Sequence, residues 1–372
     1  MIKKMMFVGI VILLTCSNLS SSATLIGKEA IPATGGNTLY VGGSGPGNYT
    51  KIQDAINDSR DGDTVFVYSG LYHEEIMITH PIRLLGQAKE TTIIHPKTKH
   101  QNNLIALDSD NITISGFTCE AEFNILYNLL FNVKDLTVKG NIFKSNESEL
   151  INLNNPIDCY ILNNTFTTGG DAIIFYNGDN CFIENNSITS HISVNTCIIA
   201  NSGDLTITNN TITNFCYGMN LESTNVLQIS HNVITNISCL ALDITYGQDT
   251  IIAFNIMDNT GLPHINSFMA IQLERTDYTT ILRNLIQGFT FGIFLDHSFD
   301  VLVKENTFEH NIVNARFINT YQYNKWQNNY WGRPHILPKP IIGLKYTNHP
   351  YPGFVQFDWH PALHPYTTLK TI

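Results

Sequence analysis

Val138-Lys139-Gly140-Asn141-Ile142-Phe143, Ile161-Leu162-Asn163-Asn164-Thr165-Phe166 and Ile183-Glu184-Asn185-Asn186-Ser187-Ile188 are three copies of one pattern. It continues through Asn210, Asn232, Asn255, Asn284, Asn306 and Asn329, at intervals of 22 to 24 residues except for 29 between Asn255 and Asn284. A fixed period of this size marks a repeat array. In every copy the residues three before and two after the Asn are apolar, from Val138 and Phe143 to Trp326 and Trp331. The two-residue alternation and β-branched content predict short strands with one buried face, and no run carries the 3.6-residue period of a helical repeat. Two or three such strands per period predict an all-β, parallel β-solenoid whose coils are hydrogen-bonded about 4.8 Å apart.

The repeated Asn has a structural task. A side-chain amide turned inward at a bend can pair with its equivalent one rung away, whereas an unpartnered buried amide costs roughly 1–3 kcal/mol. A second inward column is expected thirteen and eleven residues before each Asn: Ile151/Leu153, Ile173/Phe175, Cys197/Ile199, Met219/Leu221, Leu242/Ile244, Ile271/Leu273 and Ile293/Leu295. Burying an aliphatic side chain contributes about 1.5–3 kcal/mol, so this column outweighs any surface ion pairing. The core is therefore a long thin column.

The ends of the chain read differently. Met1-Ile2-Lys3-Lys4, the apolar run Met5 to Thr15 and the small residues up to Ala23 have the layout of a secretory signal peptide, 1–23, too short to span a bilayer. Export is expected, to the outside or the cell surface, with no transmembrane segment in the mature chain. The full chain carries −10; without Lys3 and Lys4 the balance becomes −12, which argues against nucleic acid or an anionic membrane as partner. Residues 24–37 read as a linker and 38–331 as the solenoid. Thr50-Lys51-Ile52-Gln53 has the form of a capping box, predicting a helix with Ile52, Ala55 and Ile56 on its inner face that covers the first open coil. After Trp331 the repeat stops. Residues 332–372, with five prolines between Pro334 and Pro352 and several aromatics, are expected to form an irregular C-terminal cap.

Tyr49-Thr50-Lys51-Ile52-Gln53-Asp54-Ala55-Ile56, Asp61-Gly62-Asp63-Thr64-Val65, Gly70-Leu71-Tyr72-His73-Glu74 and Ile82-Arg83-Leu84-Leu85-Gly86 together resemble the entrance of the pectin-lyase-like right-handed parallel β-helix superfamily. With the repeats behind them, the chain resembles exported repeat proteins of archaeal and bacterial surfaces, whose rungs are similar to those of the periplasmic NosD-type proteins. The resemblance covers about residues 38–331 and implies a single right-handed parallel β-helix. For function it implies two classes: a carbohydrate-binding, structural or adhesive surface protein whose partner is a polysaccharide or cell-surface glycan, or a polysaccharide lyase or glycoside hydrolase.

Residue by residue, Gly70-Leu71-Tyr72-His73-Glu74, Gln248-Asp249-Thr250 and Gly332-Arg333-Pro334 echo pectin methylesterase motifs, but the intervening Asp-containing motif is missing. Asp249 falls in a turn column with Asp135, Asp158, Asp204 and Asp300, six before each Asn, which reads as left-handed turns; a calcium site there is the alternative. No cofactor is assigned. Glu222, Glu274 and Asp296 share one outward column ten before the Asn, and Arg275 and His297 follow in the next. Glu274 and Asp296 stand on adjacent rungs, about 5 Å apart by sheet spacing, as a retaining glycosidase requires. The other reading is a solvated face on which Arg275 offsets both acids, with no aromatic platform beside it. Glu274, Arg275, Asp296 and His297 are the candidate ligand-binding residues, and the insertion Gly261-Leu262-Pro263-His264-Ile265-Asn266 is expected to wall a groove beside them. Cys159/Cys181 and Cys216/Cys239 each stack on adjacent rungs within disulfide range; in-register parallel side chains favour packed thiols. Asn48, Asn146 and Asn236 open N-glycosylation sequons.

Overall fold

The computed structural model describes residues 36–97, 103–129, 132–262, 268–319, 324–346 and 350–366. The expected signal peptide, most of the linker and His264 lie outside them.

Each regular coil holds one longer strand and two short ones, as in β24 (Tyr217–Glu222), β25 (Val226–Ser230) and β26 (Val233–Thr235). Successive coils pair in parallel register: Met219 lies opposite Leu242, Ile229 opposite Ile252, and Ile234 opposite Met257. The third strands of the coils form a separate 12-stranded sheet, running from β3 (Gly70–His73) to β38 (Tyr330–Trp331). Like residues therefore stack inward along the axis, as Phe143 does on Phe166 with ring centroids 5.2 Å apart.

All nine ladder Asn side chains are buried. In the middle of the array, the Asn210 Oδ1 accepts the backbone N–H of Asn186 at 2.9 Å and its side-chain amide at 3.0 Å. The Asn210 amide in turn donates to the Ile183 carbonyl at 2.8 Å and to the Asn232 Oδ1 at 3.0 Å. The ladder thus ties backbone to backbone across three coils. The residue before each ladder Asn sits in the left-handed region, from Gly140 and Asn163 to His231, Phe254, Arg283 and Glu305. That region costs an ordinary L residue about 1–2 kcal/mol, and the buried amide bonds fix the bend despite it.

Three expectations need correction. In the coil ending at Asn210 the inward pair is Ile198 and Ala200, which register with Ile173 and Phe175, while Ile199 faces outward. The added length of that 24-residue step falls before the long strand, and the strand lies one residue nearer its Asn than in the preceding coil, opposite a bulge at Asn177, so counting back from the Asn lands one position early. The capping box does not form either. Helix α1 (Ile52–Asp58) has Lys51 at its N-cap without a side-chain bond, and the buried Glu74 carboxylate accepts the N–H groups of Ile52 at 2.8 Å and Gln53 at 3.1 Å. Gln53 is thereby free to use its amide on the open edge of β4 (Ile76–Ile78), accepting from Met77 N–H at 2.8 Å and donating to Met77 O at 3.1 Å. Finally, Cys216 and Cys239 form a disulfide, with Cα atoms 4.8 Å apart, whereas Cys159 and Cys181 are buried thiols. The bonded pair lies in turns ahead of β24 and β27 (Leu240–Thr245), where side-chain directions are not held parallel by a strand.

The C-terminal cap contains an ordered hairpin, β39 (Lys339–Tyr346) antiparallel to β40 (Pro350–Asp358), laid on β36 (Val313–Ile318) and β37 (Lys325–Gln327). It ends the ladder as well as the sheet. Asp358, fully buried, accepts the Asn329 N–H at 2.8 Å, the Asn329 amide at 3.2 Å and the Trp331 indole N–H at 3.2 Å. At the other end of the ladder the donor is the Phe117 N–H, which reaches the Asn141 Oδ1 at 3.1 Å.

Candidate functional site

The expected columns are where the pattern placed them. Glu222, Thr245, Glu274 and Asp296 follow one another in register across β24, β27, β30 (Met269–Glu274) and β33 (Phe291–Asp296). Arg275 and His297 come directly after, both at positive φ, which turns their side chains out at the edge of the sheet. The Asp296 Oδ1 lies 2.7 Å from the His297 Nδ1 and orients that ring. Arg275 does not offset the acids. Its guanidinium donates to the Tyr246 hydroxyl and lies 5.4 Å from the centre of that ring, so the charge is directed along the edge.

Two residues inward along each strand lies a second outward column that the count of ten skipped: Asn220, Asp243, Gln272, Phe294 and Arg316. Its signal was available in the two-residue strand period. Asp243 is the group of interest. Its Oδ1 is buried without a hydrogen-bond partner, and burial, reinforced by the Glu274 charge, pushes its carboxyl up to about 6. The aromatic platform missing from the sequence reading is also present. Phe268 is 53% exposed and meets Phe291 at 6.0 Å, Phe291 meets Phe294 at 6.0 Å, and the Arg316 guanidinium lies 5.3 Å from the Phe291 ring centre. The insertion joins the chain at this aromatic edge, ahead of Met269. Glu274 is five residues further on, roughly 16 Å away at strand rise. Residues 263–267 of the insertion, the expected groove wall, lie outside the described residues.

The methylesterase-like residues do not assemble. Glu74 caps α1, and Asp249 is a turn residue at φ 43°. Asp135, Asp158 and Asp300 are left-handed turn residues too, while Asp204 has joined β22 (Asp204–Thr208). Among the described residues no three His, Cys, Asp or Glu side chains gather as metal ligands would, in the turn column or elsewhere.

A family model for a right-handed beta helix region matches residues 82–257 and 171–331, more than half the chain. The chain belongs to the right-handed β-helix family. Solved structures of like fold include DFA-IIIase from Arthrobacter chlorophenolicus A6 (TM-score 0.62, 11% identity, 79% of this chain and 94% of that one). They include the family 28 exopolygalacturonase of Yersinia enterocolitica (0.52, 10% identity, 75% of each chain) and the Dettilon tailspike protein (0.58, 10% identity, 79% of this chain and 66% of that one). At these identities the likeness concerns the fold. A search of curated protein sequences finds no match. No helix among the described residues is long and apolar enough to cross a membrane.

The Asp243 environment makes a pH prediction. Between the ordinary value near 3.8 and about 6 the folded chain binds this proton more tightly than the unfolded chain does, so stability contributed by Asp243 falls as pH rises through that window. Asp243→Asn is expected to raise the unfolding free energy more at pH 7 than at pH 4, as read from urea melts. Glu274→Gln is expected to lower the Asp243 titration midpoint in carboxyl-detected NMR. An unchanged midpoint would mean the two groups do not sense each other.

Proposed function

We propose that this chain is an exported, cell-surface or secreted protein that binds a glycan along the outer face of the long-strand sheet. The observation that carries the reading is the combination on one face, within a few coils, of an aromatic edge (Phe268, Phe291, Phe294) and a polar edge (Glu274, Asp296, His297). A sugar has apolar C–H faces and hydroxyls that both donate and accept, and such a face offers partners for each. Saccharide-processing and tailspike proteins of the same fold support the reading by analogy. The signal-like N-terminus supports export.

One observation favours a second reading, glycoside hydrolysis. Asp243, its carboxyl pushed up to about 6 by burial and by the Glu274 charge, forms with Glu274 the unequal carboxyl pair that such a reaction uses, an acid for the leaving oxygen and a base or nucleophile opposite it.

Glycan-array binding separates the proposal from a purely structural rod. Glu274→Gln with Asp296→Asn is expected to abolish binding with little change in melting temperature, since both side chains are partly solvated. Binding that survives the double change places the glycan elsewhere. New reducing ends released by the wild type and lost in Asp243→Asn select the hydrolase reading, and binding without release selects the lectin-like one.

A further inference from the structure

A separate groove lies on the outer face of the 12-stranded sheet, at its first coils, and encloses about 390 Å³, room for a monosaccharide unit. Its floor is one outward column. His73 registers with His95, and Glu120 with Lys144, while the pairing of Ile94 with Cys119 sets Glu120 beside His95. Lys97 and Phe123 stand in the walls. The His73 and His95 rings meet edge to face at 5.5 Å. The His95 Nδ1 lies 3.0 Å from the Pro96 carbonyl, which can only accept, so Nδ1 carries the proton and Nε2 is the free ring nitrogen. Among the described residues, the ammonium groups of Lys97 and Lys144 and the Glu120 carboxylate form no ion pair with one another, although they share the groove. Two ammonium groups and two imidazoles thus share the groove with two carboxylates, Glu120 and Glu122.

We propose that this groove is a second binding site, for a sugar unit that carries an oxyanion. The oxyanion lies against Lys144 and Lys97, and hydroxyls donate to Glu120 and to the His95 Nε2. The mixture of groups selects this class of ligand. A neutral sugar uses neither ammonium charge, and an inorganic anion brings to the Glu120 and Glu122 carboxylates at most the acidic hydroxyls of hydrogen phosphate, where an anionic sugar brings a ring of them.

Calorimetric titration of the full chain with glucuronate, glucose 6-phosphate, glucose and inorganic phosphate tests this. At least one of the two anionic sugars is expected to bind, and the tighter of them identifies the oxyanion as carboxylate or phosphate. Loss of a charge-assisted hydrogen bond in Lys144→Met should weaken that binding roughly tenfold or more at unchanged melting temperature. Added salt should weaken it too. Lys97→Met, on an exposed wall, provides the same readout if Lys144→Met fails to fold. The double change at Glu274 and Asp296 should leave this binding intact, which separates it from the first site. Absence of heat with both anionic sugars, equal binding of glucose or of phosphate, or affinity unchanged in the lysine variants would overturn the proposal.

Discussion

Asn210→Leu is expected to destabilise the fold by roughly 2–4 kcal/mol in chemical denaturation, although it replaces one buried side chain by another of similar size. The leucine removes the acceptor of the Asn186 backbone N–H and of its side-chain amide, and the donor to the Ile183 carbonyl and to the Asn232 Oδ1. These groups are buried, and water cannot replace the partner without opening the bend. Nor is the left-handed turn at Asn209 then held by the ladder. Unchanged stability would mean that the column does not carry the coil-to-coil pairing.

Asp358→Leu is expected to cost at least as much, roughly 3–5 kcal/mol, because a buried acceptor shared by several donors is lost at once. Asn329 would lose the acceptor of both its N–H and its amide, Asn328 the acceptor of its N–H at 3.1 Å, and the Trp331 indole its partner. Asp358→Asn keeps one carbonyl oxygen and should recover part of the loss. Hydrogen exchange distinguishes the two ladder variants. Asp358→Leu should release protection first in the last coils, around Trp326 and Trp331, whereas Asn210→Leu should release it in the middle of the array. Protection at the C-terminal end that is indifferent to Asp358 would show that the hairpin covers the helix by apolar contact alone.

The chain's own sequence determined the parallel solenoid, the inward Asn, most of the inward aliphatic columns and the outward register of Glu274 and Asp296. These follow from strand alternation and a repeated bend, which are local properties that every coil states again. The tertiary structure decided whatever depends on the position of an extra residue within a coil or on partners far apart in sequence. Ile198 and Ala200 replace the expected inward pair because the longer step is absorbed before the strand, which leaves one residue fewer between it and Asn210. Glu74 takes over the capping of α1 from the adjacent coil, 22 residues away from Ile52. Asp358 terminates a ladder whose pattern had stopped 29 residues earlier, at Asn329. The same reason governs the candidate site. A count from the Asn finds one column at a time, while Asp243, Phe268, Phe291 and Phe294 become neighbours only when separate coils stack at β-sheet spacing and bring residues more than twenty positions apart onto one face.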